Sequence, residues 1–176
     1  DMWESEFPEK ADGWAGMLTL PRELILANDR LLMRPVAEVR ALREQVLSSG
    51  SLSSVQTLLD GHSSTVEVQL NLTAQDFNLH FQNSKKQDII TLNFDHANQQ
   101  FRLTHQDHPQ DDRFATIAQS SEITLSLYID KSVVEIFVQN GEKVFTERFY
   151  TDEAPTIKID GKNLLGQFTT YQLETH

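Results

Sequence analysis

The chain has 176 residues, no cysteine and a formal net charge of −11. This length is enough to bury one hydrophobic core, and the absence of cysteine excludes disulfides, thiolate zinc sites and a cysteine nucleophile while fitting a reducing compartment. The negative charge and the lack of a clustered basic stripe argue against nucleic acid and anionic membranes as partners. No apolar run approaches the roughly 20 residues of a membrane-spanning helix.

The first 34 residues are dense in aromatic side chains, including Trp3, Phe7 and Trp14. The stretches "WAGMLTL" and "LILANDRLLM" predict strands joined by turns. So short a region cannot bury a core of its own, so we expect it to belong to a sheet whose other strands lie elsewhere. The chain also opens within what reads as folded sequence, and we expect it to be a piece of a longer protein.

One helix is predicted over residues 35–47, in "PVAEVRALREQVL". Val36, Val39, Leu42 and Val46 recur at steps of three and four residues, with charged side chains between them. Pro35 suits the first position of a helix. We interpret this helix as a linker to the domain that follows.

Residues 48–176 alternate between apolar and polar side chains, which is typical of strands with one buried and one solvated face. In "TVEVQLNLT" the four apolar residues share one face, and Glu67, Gln69 and Asn71 share the other. The same pattern recurs in "FNLHF", "IITLNF" and "ITLSLYI", and shorter pieces of it in "FRLTH" and "TIKI". The sequence therefore predicts an all-β fold, an antiparallel β-sandwich.

Turn signals separate these strands. Asn140-Gly141 predicts a type I′ hairpin, because both central residues of that turn need positive φ. Asp130-Lys131-Ser132 predicts a second turn, and "QDHPQDD" a longer polar loop over residues 106–112.

Asp130, Ser132 and Glu135 form the strongest candidate catalytic cluster. Two carboxyl groups about 5 Å apart are what a retaining glycosidase uses. Asp and Ser are also ordinary turn residues, and Glu135 alternates with Val134 and Ile136, so we favour a structural interpretation.

The sequence gives weaker evidence for a metal site and for aromatic residues that bind a sugar. Histidines His105 and His108 lie near the acidic loop, where a metal or calcium site is an alternative to a solvated loop. Trp3 and Trp14 are aromatic faces that can stack on a sugar, but for Trp14 we favour core packing.

Several short motifs together resemble glycoside hydrolase family thirty-two, the family of invertases, fructan hydrolases and bacterial sucrose-6-phosphate hydrolases. The matching residues, in order, are Trp3-Glu4, Gly13-Trp14-Ala15-Gly16, Leu20-Pro21-Arg22-Glu23-Leu24, Arg34-Pro35-Val36 and, in "YIDKSVVEIFVQNGE", Asp130, Ser132, Glu135, Phe137, Asn140 and Gly141. The resemblance spans most of the chain, and the bacterial intracellular branch is the most similar.

The resemblance implies that residues 1–34 are the last strands of a catalytic five-bladed β-propeller, residues 35–47 a linker helix and residues 48–176 the C-terminal β-sandwich. The family's catalytic residues lie in N-D-P-N-G, R-D-P and E-C motifs, and none of these occurs here. No catalytic residue is therefore assigned, and only Trp3 and Glu4 are expected near substrate. The family implies no metal and no organic cofactor.

The resemblance thus implies that the chain is the C-terminal segment of a cytoplasmic β-fructofuranosidase that hydrolyses sucrose or sucrose-6-phosphate with retention. Its partner is the propeller domain of the same enzyme, and we expect the segment alone to be inactive. The alternative is a β-sandwich module that binds carbohydrate, or that joins copies of the chain into a homo-oligomer.

Overall fold

The computed structural model describes residues 7–174, and these residues are almost entirely β-structure. The strands, in chain order, are β1 (Arg22–Ala27), β2 (Arg30–Pro35), β3 (Arg43–Ser51), β4 (Val55–Asp60), β5 (Thr65–Thr73), β6 (Phe77–Gln82), β7 (Asp88–Asp95), β8 (Gln100–His105), β9 (Arg113–Thr116), β10 (Glu122–Asp130), β11 (Val133–Val138), β12 (Lys143–Arg148), β13 (Thr156–Gly161) and β14 (Gly166–Leu173). Short 3₁₀ helices cover Pro8–Asp12, Ala37–Leu42, Pro109–Asp111 and Gln139–Gly141. Between residues 7 and 174, no helix is long and apolar enough to cross a membrane.

Two six-stranded antiparallel sheets face each other as a sandwich, which confirms the predicted fold class. The first sheet has the strand order β12-β11-β10-β5-β14-β3, and the second has the order β4-β13-β6-β7-β8-β9. Strands β1 and β2 form a separate two-stranded hairpin.

The core lies between the inner faces of the two sheets. The alternation that the sequence shows puts Val66, Val68, Leu70 and Leu72 of β5 inside, and all four are buried. In the opposite sheet, Phe77, Leu79 and Phe81 of β6 are buried in the same cluster. Because a strand turns its side chains to alternate faces, the sequence period alone is enough to place these residues inward.

A substitution in this core tests the packing at modest cost. Ile136 of β11 is fully buried, and we expect Ile136→Val to lower the free energy of unfolding by about 1 kcal/mol through the loss of one methylene group. The measurement is the urea midpoint at neutral pH. Val46→Ala, at a position that is 55% exposed, is the control and should change stability by less than about 0.5 kcal/mol.

The turns are confirmed in position but not all in type. Asp130 pairs with Val133, so β10 and β11 are joined by a two-residue turn in which Lys131 has φ 51°. Val138 pairs with Lys143, so the next loop has four residues, and the predicted two-residue type I′ turn at Asn140-Gly141 is wrong.

A two-residue loop with positive φ at both positions is found instead in the hairpin of β1 and β2. Ala27 pairs with Arg30, and the intervening residues Asn28 and Asp29 have φ of 50° and 58°. Asn and Asp tolerate this left-handed conformation better than most residues, which explains why the turn forms here.

The linker helix is shorter than predicted. It is a 3₁₀ helix over Ala37–Leu42, and the predicted extension to residue 47 is wrong because Arg43–Ser51 is strand β3. Val36, Val39 and Leu42 are three residues apart, which fits the three residues per turn of a 3₁₀ helix. Val46 is exposed and stands outside that series. The sandwich therefore begins at Arg43 rather than at residue 48.

The N-terminal region is only partly as expected. "LILANDRLLM" forms the hairpin, whereas "WAGMLTL" over residues 14–20 is not a strand. Trp14 is 55% exposed, so the prediction that it packs in the core is wrong. Trp3 and Glu4 lie outside the described residues.

Candidate functional site

The outer face of the first sheet is covered by the N-terminal segment, residues 7–42, and this contact is the candidate functional site. A second apolar cluster fills part of the contact, and its members are Val39, Tyr128, Phe137 and Leu173, with Leu20, Val36, Leu42 and Val144 packed against them. Since this cluster lies on the opposite side of the sheet from the main core, the first sheet is buried on both faces where the segment crosses it.

Glu135 holds the start of the hairpin to the sheet. Its side chain is 3% exposed, and it accepts a hydrogen bond from the backbone N–H of Leu20 at 2.6 Å. It also forms an ion pair with Arg22, whose guanidinium lies 5.3 Å from the centre of the Phe137 ring. A buried carboxylate needs such partners, because burying an unpaired charge is very costly.

Glu67 makes the second buried ion pair, at the other end of the linker. It is fully buried, and Arg43 donates to both of its carboxylate oxygens, at 2.6 and 2.7 Å. Tyr128 and Gln69 donate to the same carboxylate at 2.9 and 3.0 Å, and the Arg43 guanidinium lies 4.3 Å from the centre of the Tyr171 ring. This geometry fixes the point at which the linker enters the sandwich.

These contacts have electrostatic consequences. The hydrogen bond to Glu67 raises the pKa of the Arg43 guanidinium further. Burial, together with the neighbouring Glu67 carboxylate, raises the pKa of the Tyr128 phenol. Tyr128 therefore stays a hydrogen-bond donor to Glu67 across the physiological pH range.

A third carboxylate, Glu9, anchors the beginning of the segment. It is 6% exposed and accepts a hydrogen bond from Arg148 at 2.5 Å and one from Tyr150 at 2.9 Å. Arg148 also donates to the Ser132 hydroxyl at 3.2 Å, and the Phe7 ring lies 6.5 Å from that of Tyr150. Ser132 therefore belongs to this anchor.

Glu9 makes the anchor sensitive to pH. Burial alone would raise the pKa of the Glu9 carboxyl, but a backbone hydrogen bond and those from Arg148 and Tyr150 outweigh it and hold the pKa below the usual value of a glutamate. A lowered pKa in the folded state means that the stabilisation is present at neutral pH and is lost as the pH falls through and below that value.

We therefore expect acidification to loosen residues 7–12 from the sandwich. In a Trp3→Phe background, the emission of Trp14 should shift when the pH is lowered from 7 to 3, because its backbone N–H bonds to the Glu9 carbonyl at 3.4 Å. Glu9→Gln should remove most of that shift. An equal shift in the Glu9→Gln variant would show that another group is responsible.

Gly141 lets the hairpin approach the sandwich closely. Its φ is +90°, and a Cβ at this position would overlap the backbone carbonyl of Met33. Arg34 donates to the Asn140 carbonyl at 3.0 Å, and Arg30 pairs with Glu142 at 3.0 Å. Only glycine satisfies both the backbone conformation and the close approach.

The two carboxylates of the acidic pair considered in the sequence lie in different environments. Asp130 is exposed at the end of β10, where it pairs with Val133, whereas Glu135 is buried within β11 opposite Tyr128. Because Leu20 and Arg22 already occupy the Glu135 carboxylate, its role here is structural.

The polar loop and the histidines do not converge on a cation either. Asp112 is paired with Arg102, and the rings of His105 and His108 lie 5.3 Å apart. In the part of the chain that the structure describes, no three acidic or histidine side chains are arranged to hold a metal ion.

One face of the hairpin is apolar and exposed. Leu24, Leu26 and Leu31 are 64%, 78% and 54% exposed, and the register puts all three on the same face. Leu18, just before the hairpin, is 93% exposed. A two-stranded sheet with an uncovered apolar face is at best marginally stable alone, so this face needs a covering element.

The sequence did not predict that Glu9, Glu67 and Glu135 are buried. Glu67 and Glu135 lie on strand faces that alternate with the core and were expected to be solvated. Arg22 and Arg43 are the arginines that pair with Glu135 and Glu67, but the sequence does not show which carboxylate each one meets.

Comparison with known proteins assigns the fold to a family. The profile of the C-terminal domain of glycosyl hydrolase family 32 matches residues 32–168. Sucrose-6-phosphate hydrolase of Escherichia coli is 34% identical over 154 residues, which cover 85% of this chain and 32% of the relative. Raffinose invertase of Escherichia coli is 33% identical over 157 residues, which cover 85% of this chain and 32% of that relative.

Comparison with solved structures finds the same fold. The Bombyx mori family 32 β-fructofuranosidase superimposes with a TM-score of 0.84 at 27% identity, covering 98% of this chain and 36% of that protein. Sucrose-6-phosphate hydrolase from Lactobacillus gasseri superimposes with a TM-score of 0.82 at 20% identity, covering 97% of this chain and 36% of that protein. This superposition supports the fold. The chain spans about a third of the length of the curated relatives that it matches. On the extent of the profile match, the chain belongs to glycoside hydrolase family 32 and contains the C-terminal domain of that family.

Proposed function

We propose that the chain is the C-terminal segment of a β-fructofuranosidase that hydrolyses sucrose or sucrose-6-phosphate. In this proposal the sandwich stabilises a catalytic propeller of the same polypeptide, and the segment itself lacks the catalytic carboxylates. The carboxylate that attacks the anomeric carbon and the acid that protonates the leaving oxygen belong to the propeller.

The observation that supports this proposal most directly is the hairpin of β1 and β2. Its apolar face, with Leu24, Leu26 and Leu31, is exposed, while Glu135 and Gly141 hold the hairpin firmly against the sandwich. The hairpin then acts as a fixed edge on which the remaining strands of a propeller blade assemble. Residues 1–34 belong to that blade in our proposal.

Trp3 and Glu4 are proposed as substrate-proximal residues of the parent enzyme, on the resemblance of their motif to that of the family. The Glu9 anchor lies five residues after Glu4 in the sequence. It ties the beginning of the N-terminal segment, residues 7–42, to the sandwich. We also propose a cytoplasmic enzyme, which the absence of cysteine fits.

The test joins this chain to the first two thirds of the Escherichia coli sucrose-6-phosphate hydrolase. We expect the chimera to release fructose from sucrose or its 6-phosphate, and we expect the 176-residue chain alone to release none. The propeller portion expressed without a sandwich is the control for the stabilising role, and it should be insoluble or melt at a lower temperature.

Two results would contradict the proposal. Fructose release by the chain alone, with no second polypeptide by intact mass, would bring Asp130 and Glu135 back as catalytic candidates. A chimera that folds but stays inactive, beside a fully active intact Escherichia coli enzyme, would show that this segment does not complete the catalytic domain.

A further inference from the structure

A straight row of polar side chains crosses the outer face of the second sheet. The strand register puts Asp160 of β13 opposite Asn78 of β6, Asn78 opposite Asn93 of β7, Asn93 opposite Arg102 of β8, and Arg102 opposite Phe114 of β9. We call these five residues the cross-strand row. With about 4.8 Å between strands, the row is about 19 Å long.

The row is held in place by its own hydrogen bonds. Asn78 donates to Asp160 at 2.7 Å, and Asn93 donates to Asn78 at 2.5 Å. His80, two residues after Asn78 on the same face of β6, contacts the other oxygen of Asp160 at 2.9 Å. Because Asn78, Asn93 and Asp160 are fixed by these neighbours, the row is organised before any ligand arrives.

Each end of the row offers a different contact. Phe114 is 57% exposed, and the Arg102 guanidinium lies 5.9 Å from the centre of its ring. Beyond Asp160, Val55 of β4 continues the row and is 68% exposed. An aromatic face of this kind can stack on the C–H side of a sugar ring.

A concave site adjoins the Asp160 end. Its volume is about 610 Å³, and Asp76, Asn78, Asp160, Lys162 and Asn163 are among its lining residues. The two loops that form it meet closely, since a Cβ on Gly161 would lie 2.6 Å from the Asp76 carbonyl oxygen. The site therefore has fixed walls and several hydrogen-bonding groups.

The charges favour a neutral ligand. The Arg102 guanidinium is paired with Asp112, so the row and this partner carry one net negative charge from Asp160, while Asp76 and Asp88 lie beside the row and the whole chain has a net charge of −11. Phosphates and nucleic acid would be repelled by this balance. Hydroxyl groups suit it, because amides, carboxylates and guanidinium groups offer both donors and acceptors.

We propose that the cross-strand row, together with the concave site at its Asp160 end, binds a neutral linear oligosaccharide. The polar residues bind its hydroxyls, and Phe114 stacks on a sugar at the far end. This goes beyond the proposed hydrolase function, because it requires no catalytic group and lies on the sheet opposite to the one that holds the hairpin.

The probe is an inulin-type fructo-pentasaccharide, titrated calorimetrically into the 176-residue chain at neutral pH. We expect saturable binding that weakens at least tenfold in Phe114→Ala and in Asn93→Ala. Phe114 is exposed and Asn93 half-buried on the surface, so both variants should fold, and circular dichroism checks this. Val46→Ala, which removes an exposed apolar side chain from the other sheet, should bind like the unmodified chain.

Three outcomes would overturn the proposal. The first is a flat titration of the unmodified chain up to millimolar pentasaccharide. The second is binding that survives both row variants, which would put the sugar elsewhere. The third is concentration-dependent dimerisation of the chain that Phe114→Ala abolishes, which would assign the face to a second copy. None of these results affects the chimera test, which measures fructose release, so the two proposals fail independently.

Discussion

Glu67→Ala is expected to lower the free energy of unfolding by about 4 kcal/mol, one of the largest effects of any single substitution in this chain. The carboxylate is fully buried and receives hydrogen bonds from Arg43, Tyr128 and Gln69. Its removal leaves the Arg43 guanidinium without an opposite charge, although the Arg43 side chain is only 22% exposed and lies against the Tyr171 ring. For a chain of this size the melting temperature should fall by roughly 10 °C.

Two further variants distinguish the effect of losing the ion pair from the effect of losing side-chain volume. Glu67→Gln keeps the shape and part of the hydrogen bonding, and we expect it to cost about 2 kcal/mol. Combining Glu67→Met with Arg43→Leu replaces both charges by apolar groups and should recover most of the loss. Glu44→Ala, at an exposed position of β3, is the matched control.

The measurement is urea unfolding followed by far-ultraviolet circular dichroism for all four proteins and the unmodified chain. If Glu67→Ala unfolds at the same urea concentration as the unmodified chain, the buried pair contributes no net stability. A double variant that is no better than Glu67→Ala would mean instead that the cost arises from packing and not from the unpaired charge.

The parts of the fold that the sequence predicted are those set by local periodicity. Val68, Leu79 and Ile136 all lie at alternating apolar positions, and all are buried, because the two faces of a strand are fixed by backbone geometry. The turn after Asp130 was predictable for the same kind of reason, since its residue types suit the backbone that it needs.

The parts that the sequence missed depend on pairs of residues far apart in the chain. Leu20 and Glu135, which form a hydrogen bond, are 115 residues apart, so nothing local marks Glu135 as buried. Likewise, β3 forms by pairing with β14, and this pairing overrides the helical spacing of Val46. The sheet partner, and not the local propensity, determines the conformation of residues 43–47.

In the candidate site, too, the sequence indicated local features but not the contacts between residues far apart in the chain. The sequence favoured a structural interpretation of Glu135, but its partner, Arg22, became evident only from the structure. The role of Gly141 was likewise invisible, because the atom that excludes a side chain there belongs to Met33, on the hairpin.

Glu135→Ala is expected to release the hairpin from the sandwich while leaving the sandwich folded. The substitution removes the acceptor for the Leu20 N–H and the charge that pairs with Arg22, at a cost of about 3 kcal/mol to docking. Hydrogen exchange should show lost protection in β1 and β2, whereas the amides of β5 and β10, at the centre of the first sheet, keep theirs.

Gly141→Ala tests the same contact from a different direction. It leaves Glu135 and Arg22 intact but introduces a Cβ that overlaps Met33 and strains a residue with φ +90°. We expect the same pattern of lost protection. Arg30→Ala is the matched control, because it removes only the half-exposed pair with Glu142, and such surface pairs contribute less than about 1 kcal/mol.

The pattern of protection decides what the sandwich does for the hairpin. If both variants free β1 and β2 and leave β5 and β10 protected, the sandwich core is independent of the hairpin, and Glu135 serves to position it. If Glu135→Ala also exposes β5 and β10, the segment is part of the cooperative fold of the sandwich, and removing it should unfold the domain. The first result also predicts that the chimera with Glu135→Ala loses activity on heating before its sandwich unfolds, because the edge on which the blade assembles is released first.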